Sequence, residues 1–136
     1  MITPEMLEEV EKLLDELREY AGEGTPIIVE GIRDKRALRE LEVKGTIFQM
    51  SSKKTTLNFL EGLALYEHVV VLTDFDRAGD ELAEFCAKHL RRLGPKPILD
   101  LRRKLKALLH RNVKDIEGLA KFLRRQEAVL RKTFLS

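Results

Sequence analysis

Short apolar runs alternate with helical patterns through the middle of the chain, and this alternation constrains the fold more than any other feature. Each run is apolar at neighbouring positions, so both faces of the strand that it predicts must be buried. The strongest runs lie at residues 26–29, 46–50 and 68–73, with a further strand at 97–101. Buried strands separated by helices are typical of a parallel sheet covered by helices on both faces. We therefore predict an α/β fold with a sheet of about four strands.

Helical patterns fill the segments between the strands and continue beyond them at both ends. Thr3-Pro4 is a favourable helix start, and apolar residues then recur every three or four positions until Gly22 and Gly24. The chain of 136 residues is long enough for one domain with a real core. We expect a single domain of 1–136, made of an N-terminal helix at about 4–21, a core at about 26–100 and a helical C-terminal extension at about 101–136. The remaining helices are predicted at about 34–41, 55–66, 77–93, 101–110 and 115–135.

Charge is divided unevenly along the chain. Residues 1–90 hold 11 Lys/Arg against 19 Asp/Glu, a net charge of −8, whereas residues 91–136 hold 14 against 4, a net charge of +10. Basic amphipathic helices on an acidic body favour a polyanionic partner, and RNA phosphates suit them without any base specificity. Only 6% of the residues are aromatic, so no base-stacking platform is expected.

Cysteine usage and hydropathy favour a cytoplasmic protein without a membrane partner. No apolar run reaches the roughly 18 residues of a membrane span, and the acidic, periodic N-terminal segment is not typical of a signal peptide. Cys86 is the one cysteine, which excludes an internal disulfide, and its apolar neighbours predict a core position.

The segment VVVLTDFDRAGDEL places Asp74, Asp76 and Asp80 directly after the most apolar strand. Glu30 ends the first strand in IIVEG, and the carboxyl ends of parallel strands open on the same edge of a sheet. If the first and third strands are neighbours, three or four carboxylates share one cleft and repel each other unless a cation lies among them. Mg²⁺, or Mn²⁺, prefers such oxygen ligands, so we predict a metal site for phosphodiester chemistry that involves these four acids.

Other interpretations of the aspartates explain less. Asp76 is well placed as the N-cap of the helix that begins at Arg77, but capping does not account for Asp74. An EF-hand loop would need oxygen ligands where Ala78 and Phe85 stand. An aspartyl phosphatase would place its nucleophile after the first strand, whereas this pair follows the third.

These residues resemble the Toprim domain, the catalytic module shared by topoisomerases, DnaG-type primases and some nucleases. The similarity spans about residues 26–100 and rests on Glu30 in VEGIRD and on Asp74 and Asp76 in TDFDRAG. Within the family the pattern is most similar to the ribonuclease that matures 5S ribosomal RNA and to small archaeal stand-alone members. The resemblance implies a Rossmann-like sheet, a general acid/base or metal-facing role for Glu30, and Mg²⁺ held by Asp74 and Asp76. Asp80 stands where some members carry a further acid, and Phe75 stands where many have Pro or Gly.

Basic residues near the same predicted edge, or in the extension, are candidates for binding nucleic-acid phosphates. They are Arg33, Lys53, Lys54, Arg77, Arg102 and Arg103. The function that we predict is Mg²⁺-dependent hydrolysis of phosphodiester bonds in structured RNA, with RNA favoured over DNA and with the ribosome or RNA-processing proteins as further partners. Two alternatives stay open: a Toprim module that binds nucleic acid without cleaving it, and a nucleotidyl transferase of the DNA repair or primase type.

Overall fold

A computed structural model describes residues 2–50 and 56–135 and shows a four-stranded parallel sheet with helices on both faces. The predicted α/β fold class is therefore confirmed, including the helices that precede and follow the sheet. The elements in chain order are α1 (Pro4–Gly22), β1 (Ile27–Val29), α2 (Ile32–Glu40), β2 (Ile47–Gln49), α3 (Thr56–Glu61), β3 (His68–Val71), α4 (Arg77–Leu93), β4 (Lys96–Ile98), α5 (Asp100–Leu109) and α6 (Ile116–Leu135).

The strand order β2-β1-β3-β4 decides where a ligand site can form. β1 pairs in parallel with β2 on one side and with β3 on the other, with Ile27 opposite Ile47 and Val70. The chain therefore winds in opposite directions from β1, and the carboxyl ends of β1 and β3 flank the crevice where the order reverses. The structure confirms that the first and third strands are neighbours.

Side chains of the central strands alternate between two apolar layers. Val70 and Leu72 lie in the layer that α1, α2, α5 and the first half of α6 cover. Val69 and Val71 lie in the opposite layer, under α3 and α4. All four side chains are at most 1% exposed, which explains why the strand reads as a continuous apolar run. Cys86 is fully buried in the second layer, as its apolar neighbours predict.

Local signals explain how the first helix begins. The side chain of Thr3 accepts a hydrogen bond from the backbone N–H of Met6 (3.1 Å), and Pro4 occupies the first turn, where no N–H partner is needed. The helix buries Val10, Leu14 and Leu17 on one face, as the sequence periodicity predicts.

Among the described residues, none of the helices combines the length and the apolar character that a bilayer span requires. The organisation of residues 1–136 as a single domain stays a prediction.

Candidate functional site

Glu30 and Asp74 meet at the carboxyl edge of the sheet, at the ends of β1 and β3. The Oε2 atom of Glu30 accepts a hydrogen bond from the backbone N–H of Asp74 over 2.6 Å, across 44 positions of sequence. This contact exists because β1 and β3 are paired and end at the same level. The structure therefore brings these two predicted site residues into direct contact.

Two further aspartates, which the sequence analysis did not select, surround Asp74. Asp34 lies in the first turn of α2, and Asp115 immediately precedes α6. Asp34, Asp74 and Asp115 each offer a carboxylate oxygen, and these three oxygens lie within 4.8 Å of one another. We call these three residues the acidic cluster. Asp34 is only 7% exposed, an unusual position for a carboxylate that had no role beyond solubility.

Backbone hydrogen bonds hold the segment before α6 against the tip of β3. The N–H of Phe75 donates to the carbonyl of Lys114 over 2.7 Å, which places Asp115 beside Asp74. Glu117, in the first turn of α6, donates its backbone N–H to Oδ1 of Asp34 over 3.1 Å. The acidic cluster therefore joins α2, β3 and α6.

Phe75 stabilises the junction between the end of β3 and the start of α6 from the core side. Its side chain is 3% exposed and belongs to the core layer that includes Val113 and Ile116. The aromatic residue between the two aspartates thus points away from the acids and into the core that α6 completes.

The electrostatics of the acidic cluster disfavour charge on Asp74. Partial burial, together with the carboxylates of Glu30, Asp34 and Asp115, raises the pKa of Asp74 to about 7. Burial also raises the pKa of Asp34, although hydrogen bonds from the backbone of Glu117 and Gly31 counteract the shift. A site that resists its own ionisation in this way gains from a bound cation.

Asp76 has a position that serves two purposes. Its Oδ1 atom accepts the backbone N–H of Gly79 over 2.7 Å and so caps α4. The residue is exposed, and its charge contributes to the raised pKa of Asp74. The structure thus shows the capping role that the sequence suggested while keeping the carboxylate near the acidic cluster.

Gly79 is required by a close backbone approach. A Cβ at this position would lie 1.8 Å from the carbonyl oxygen of Asp74, so no other residue fits without moving the tip of β3. The carbonyl of Gly79 also accepts a hydrogen bond from the hydroxyl of buried Thr73 (2.7 Å). The start of α4 is therefore pressed against the strand end that carries Asp74.

Asp80 and Arg102 belong to one hydrogen-bond network. The sequence predicts metal binding for Asp80 and phosphate binding for Arg102, whereas here the two side chains contact each other. Oδ1 of Asp80 accepts from Nη2 of Arg102 over 2.8 Å, and Lys106 donates to its other oxygen. These two cations lower the pKa of Asp80 through hydrogen bonds and charge. Its carboxylate is thus committed to α5, and the structure does not include it in the acidic cluster.

Arg102 was predicted to contact phosphate, yet it is only 6% exposed. Its guanidinium donates to the backbone carbonyls of Thr73 and Asp74 as well as to Asp80. Sequence alone does not show that α5 packs beside the end of β3, which gives Arg102 these partners within the chain. Arg102 therefore holds the end of β3 in place from α5.

The other predicted basic residues are placed differently from one another. Arg33 is exposed in the first turn of α2, beside Asp34, and Arg103 is exposed on α5. Arg77 is exposed at the start of α4, 3.7 Å from Glu81. Lys53 and Lys54 lie outside the described residues.

The donor set of the acidic cluster fits a hard divalent cation. Its three carboxylate oxygens come from three different elements and are close enough for one ion with bonds of about 2.0–2.6 Å to contact all of them. Soft metals would require sulfur or imidazole donors, which this group does not contain. The arrangement can therefore hold a cation of the Mg²⁺ class at the switch point of the sheet.

Comparison with known proteins agrees with this geometry. Residues 25–108 match the family model described as the Toprim domain. A UPF0292 protein of Methanosarcina barkeri is 43% identical over 114 residues, covering 83% of this chain and 79% of its own length. A UPF0292 protein of Pyrococcus horikoshii is 40% identical over 113 residues, with 80% of each chain covered. In three dimensions, a putative protein from Aquifex aeolicus superposes with a TM-score of 0.63 at 27% identity, covering 79% of this chain and 94% of that one.

Proposed function

Because this chain belongs to the Toprim domain family, and within it resembles the archaeal UPF0292 proteins, we propose that it is a divalent-metal-dependent nuclease that hydrolyses phosphodiester bonds in structured RNA. The Toprim domain is a metal-binding fold of nucleases and nucleotidyl transferases, so the general class follows from family membership. The hydrolytic reaction, the RNA substrate and the choice of Mg²⁺ or Mn²⁺ are our proposal.

The observation that supports the proposal best is the convergence of acids from separate elements. Glu30 and Asp74 follow two paired strands, and Asp34 of α2 and Asp115, just before α6, lie close to Asp74. Carboxylates that merely solubilise a surface repel each other and spread apart. Here backbone hydrogen bonds hold them together, at the edge where α/β sheets bind ligands.

Each protein group has a role that its contacts suggest. A bound divalent ion would supply the positive charge that stabilises charge developing on the phosphate. Asp74 and Asp76, with Asp34 and Asp115, would hold that ion, and Asp76 also caps the start of α4. Glu30 is held by the N–H of Asp74 through Oε2, so its Oε1 atom is the one that would take or give a proton.

The preference for RNA rests on the distribution of basic residues rather than on base recognition. The net charge of +10 on residues 91–136 favours phosphate contacts, and few aromatic side chains are present for stacking on unpaired bases. Ribosomal RNA and its assembling particles are substrates of the kind that such a surface suits. We propose that the protein works in the cytoplasm, where its one cysteine stays reduced.

The test is a cleavage assay on a labelled RNA hairpin, with and without Mg²⁺ or Mn²⁺. Asp74→Asn and Asp76→Asn should both abolish product while leaving RNA binding within about twofold, because Asn keeps the shape of Asp and remains a good N-cap at position 76. Asp15→Asn is the matched control, since Asp15 lies on the exposed face of α1, in an ion pair with Arg18.

The outcomes separate the three candidate functions. Metal-dependent product that both site variants lose supports the nuclease. Tight RNA binding without product in either metal favours the non-catalytic module. Incorporation of nucleotides onto a primed template favours the nucleotidyl transferase. Equal cleavage by wild type and both site variants would reject the assigned acids.

A further inference from the structure

A basic groove lies between α2 and α6, directly beside the acidic cluster. It has a volume of roughly 200 Å³, and its charged lining includes Arg33 and Arg36 from α2 and Lys121 and Arg124 from α6. We call it the α2–α6 groove. All four of these basic residues are exposed, so their charges face the solvent rather than the core.

Positive charge is in excess in this groove. Glu40 pairs with Arg124 over 2.9 Å, and Glu117 pairs with Lys121 over 3.1 Å. Within the described part of the chain, no ion pair involves Arg33 or Arg36. Four cations therefore face two anions, and such an imbalance in a concave surface attracts an anionic ligand.

Residues that line the groove adjoin or contact Asp34 of the acidic cluster. Asp34 follows Arg33 in the first turn of α2, and its Oδ1 atom accepts the N–H of Glu117, which lines the groove from α6. If one phosphate of a polynucleotide contacts Arg33, a neighbouring phosphate of the same strand would lie near the acidic cluster. The two sites are joined by the same pair of helix starts.

A second depression continues the basic surface along α6. It has a volume of roughly 400 Å³ and is lined by Lys121, Arg124, Arg125 and Ala128. Residues 121, 124, 125 and 128 are three and four positions apart, so they form one face of the helix. Ala128 is the only uncharged residue among these four, so the depression is strongly basic.

We infer that the α2–α6 groove binds the phosphate backbone of the polynucleotide and leads it from the acidic cluster along α6. This inference rests on the proposed function, and it adds the path of the substrate. α2 lies within residues 25–108, the part that matches the Toprim family model, whereas α6 lies beyond it, so the groove forms where the extension packs against the shared core.

The opposite side of the site is a weaker candidate for this path. There Arg102 is buried under the end of β3, and Arg77 lies beside Glu81. Lys106 is held by Asp80. These three cations already contact carboxylates or carbonyls of the chain, whereas no ion pair among the described residues involves Arg33 or Arg36.

The experiment measures binding in EDTA, so that no cleavage intervenes, using an RNA hairpin and a DNA hairpin of the same sequence. The test variant is Arg36→Gln/Lys121→Gln, which leaves the ion pair between Glu40 and Arg124 in place. The control is Arg91→Gln/Arg92→Gln, which removes two exposed arginines at the end of α4, at the opposite edge of the sheet. A third variant, Arg36→Lys/Lys121→Arg, keeps the charge of the groove.

We expect the test variant to bind about tenfold more weakly than wild type at moderate salt, and its salt slope to fall by about 1 to 2, because two phosphate contacts are lost. The control and the charge-keeping variant should bind like wild type. The two hairpins distinguish RNA from DNA as the source of the backbone. Unfolding curves for every variant separate lost binding from lost structure.

Unchanged affinity of the test variant, or an equal loss in the control, would overturn the groove. Groove-dependent binding by a wild-type protein that makes no product with Mg²⁺ or Mn²⁺ would reject the nuclease and keep the groove. Normal cleavage with unaltered binding by the test variant would reject the groove and keep the nuclease.

Discussion

Asp74→Asn should stabilise the metal-free protein even though it removes the central acid of the site. Burial and the neighbouring carboxylates raise the pKa of Asp74 from 3.8 to about 7, so ionised Asp74 opposes folding. A neutral amide of the same shape removes that repulsion and can donate hydrogen bonds to the carboxylates around it. The variant therefore measures the electrostatic cost of ionised Asp74 in the metal-free protein.

The size of the effect follows from the pKa. A rise from 3.8 to about 7 corresponds to about 4 kcal/mol at about 1.4 kcal/mol per pH unit. Asp74 is partly open to solvent, which screens its charge, so about half of that, about 2 kcal/mol, is expected at about pH 8.

The pH dependence gives the sign. A carboxyl whose folded-state pKa is raised binds its proton more tightly in the folded protein than in the unfolded chain. Its contribution to the free energy of unfolding is fully present below about pH 4, and is lost as the pH rises through about 7. The stability advantage of Asp74→Asn should therefore be small at about pH 4 and largest at about pH 8.

Guanidinium denaturation in EDTA at several pH values measures this difference. Asp15→Asn, on the exposed face of α1, serves as the matched control and should change stability by less than about 0.5 kcal/mol. Adding Mg²⁺ should reverse the order, because a ligand that binds only the folded wild-type site stabilises it by mass action. A variant less stable than wild type at about pH 8 in EDTA, or an advantage that does not grow with pH, would refute the reasoning.

Three further predictions follow from single contacts. Gly79→Ala should cost at least about 2 kcal/mol in chemical denaturation, because its Cβ would lie 1.8 Å from the Asp74 carbonyl, whereas Gly22→Ala, with nothing within 4 Å, should be close to neutral. Arg102→Gln should cost roughly 2–4 kcal/mol and weaken divalent-metal binding measured by calorimetry, because it leaves strand-end carbonyls unpaired; wild-type stability and affinity would contradict this. Cys86 should resist thiol reagents in the folded protein at about pH 8 and react after denaturation, since burial raises its pKa to about 12; fast labelling of the native state would be the contrary result.

Much of the fold was predictable because buried parallel strands leave a strong signal. A strand such as Val69-Val70-Val71 is apolar on both of its faces only where helices cover both sides of the sheet. The contact between Glu30 and Asp74 was also within reach of the sequence, since each acid ends a strand of the same sheet. Strand ends are positions that chain order and topology determine together.

The rest of the site depends on docking between distant segments, which leaves no local pattern. Asp115 looks like an ordinary helix cap, and its Oδ1 atom does accept the N–H of Gly118 (2.7 Å). It joins the acidic cluster only because Phe75 binds the carbonyl of Lys114. Asp34 lies four positions after Glu30. The sequence pattern places it in a predicted helix and does not mark it as a site residue.

The contacts of Asp80 and Arg102 also depend on docking between distant segments, which leaves no local pattern in the sequence. Both lie at the correct edge of the sheet, so metal binding and phosphate binding were reasonable predictions from sequence. Packing of α5 beside the end of β3 brings the two charges within 2.8 Å of each other. The two residues are 22 positions apart in sequence, and their ion pair satisfies both charged groups. Arg102 also donates to the backbone carbonyl of Asp74, so the pair holds Asp74 in place.

The most direct test of the central claim is anomalous diffraction from a crystal of the protein that has been soaked in Mn²⁺. If carboxylates from α2, β3 and the start of α6 together hold a divalent ion, an anomalous peak will lie within bonding distance of Asp34, Asp74 and Asp115, about 2.0–2.6 Å from an oxygen of each. A peak that contacts none of the three, or a fully occupied Mn²⁺ elsewhere with this cluster empty, would contradict the account.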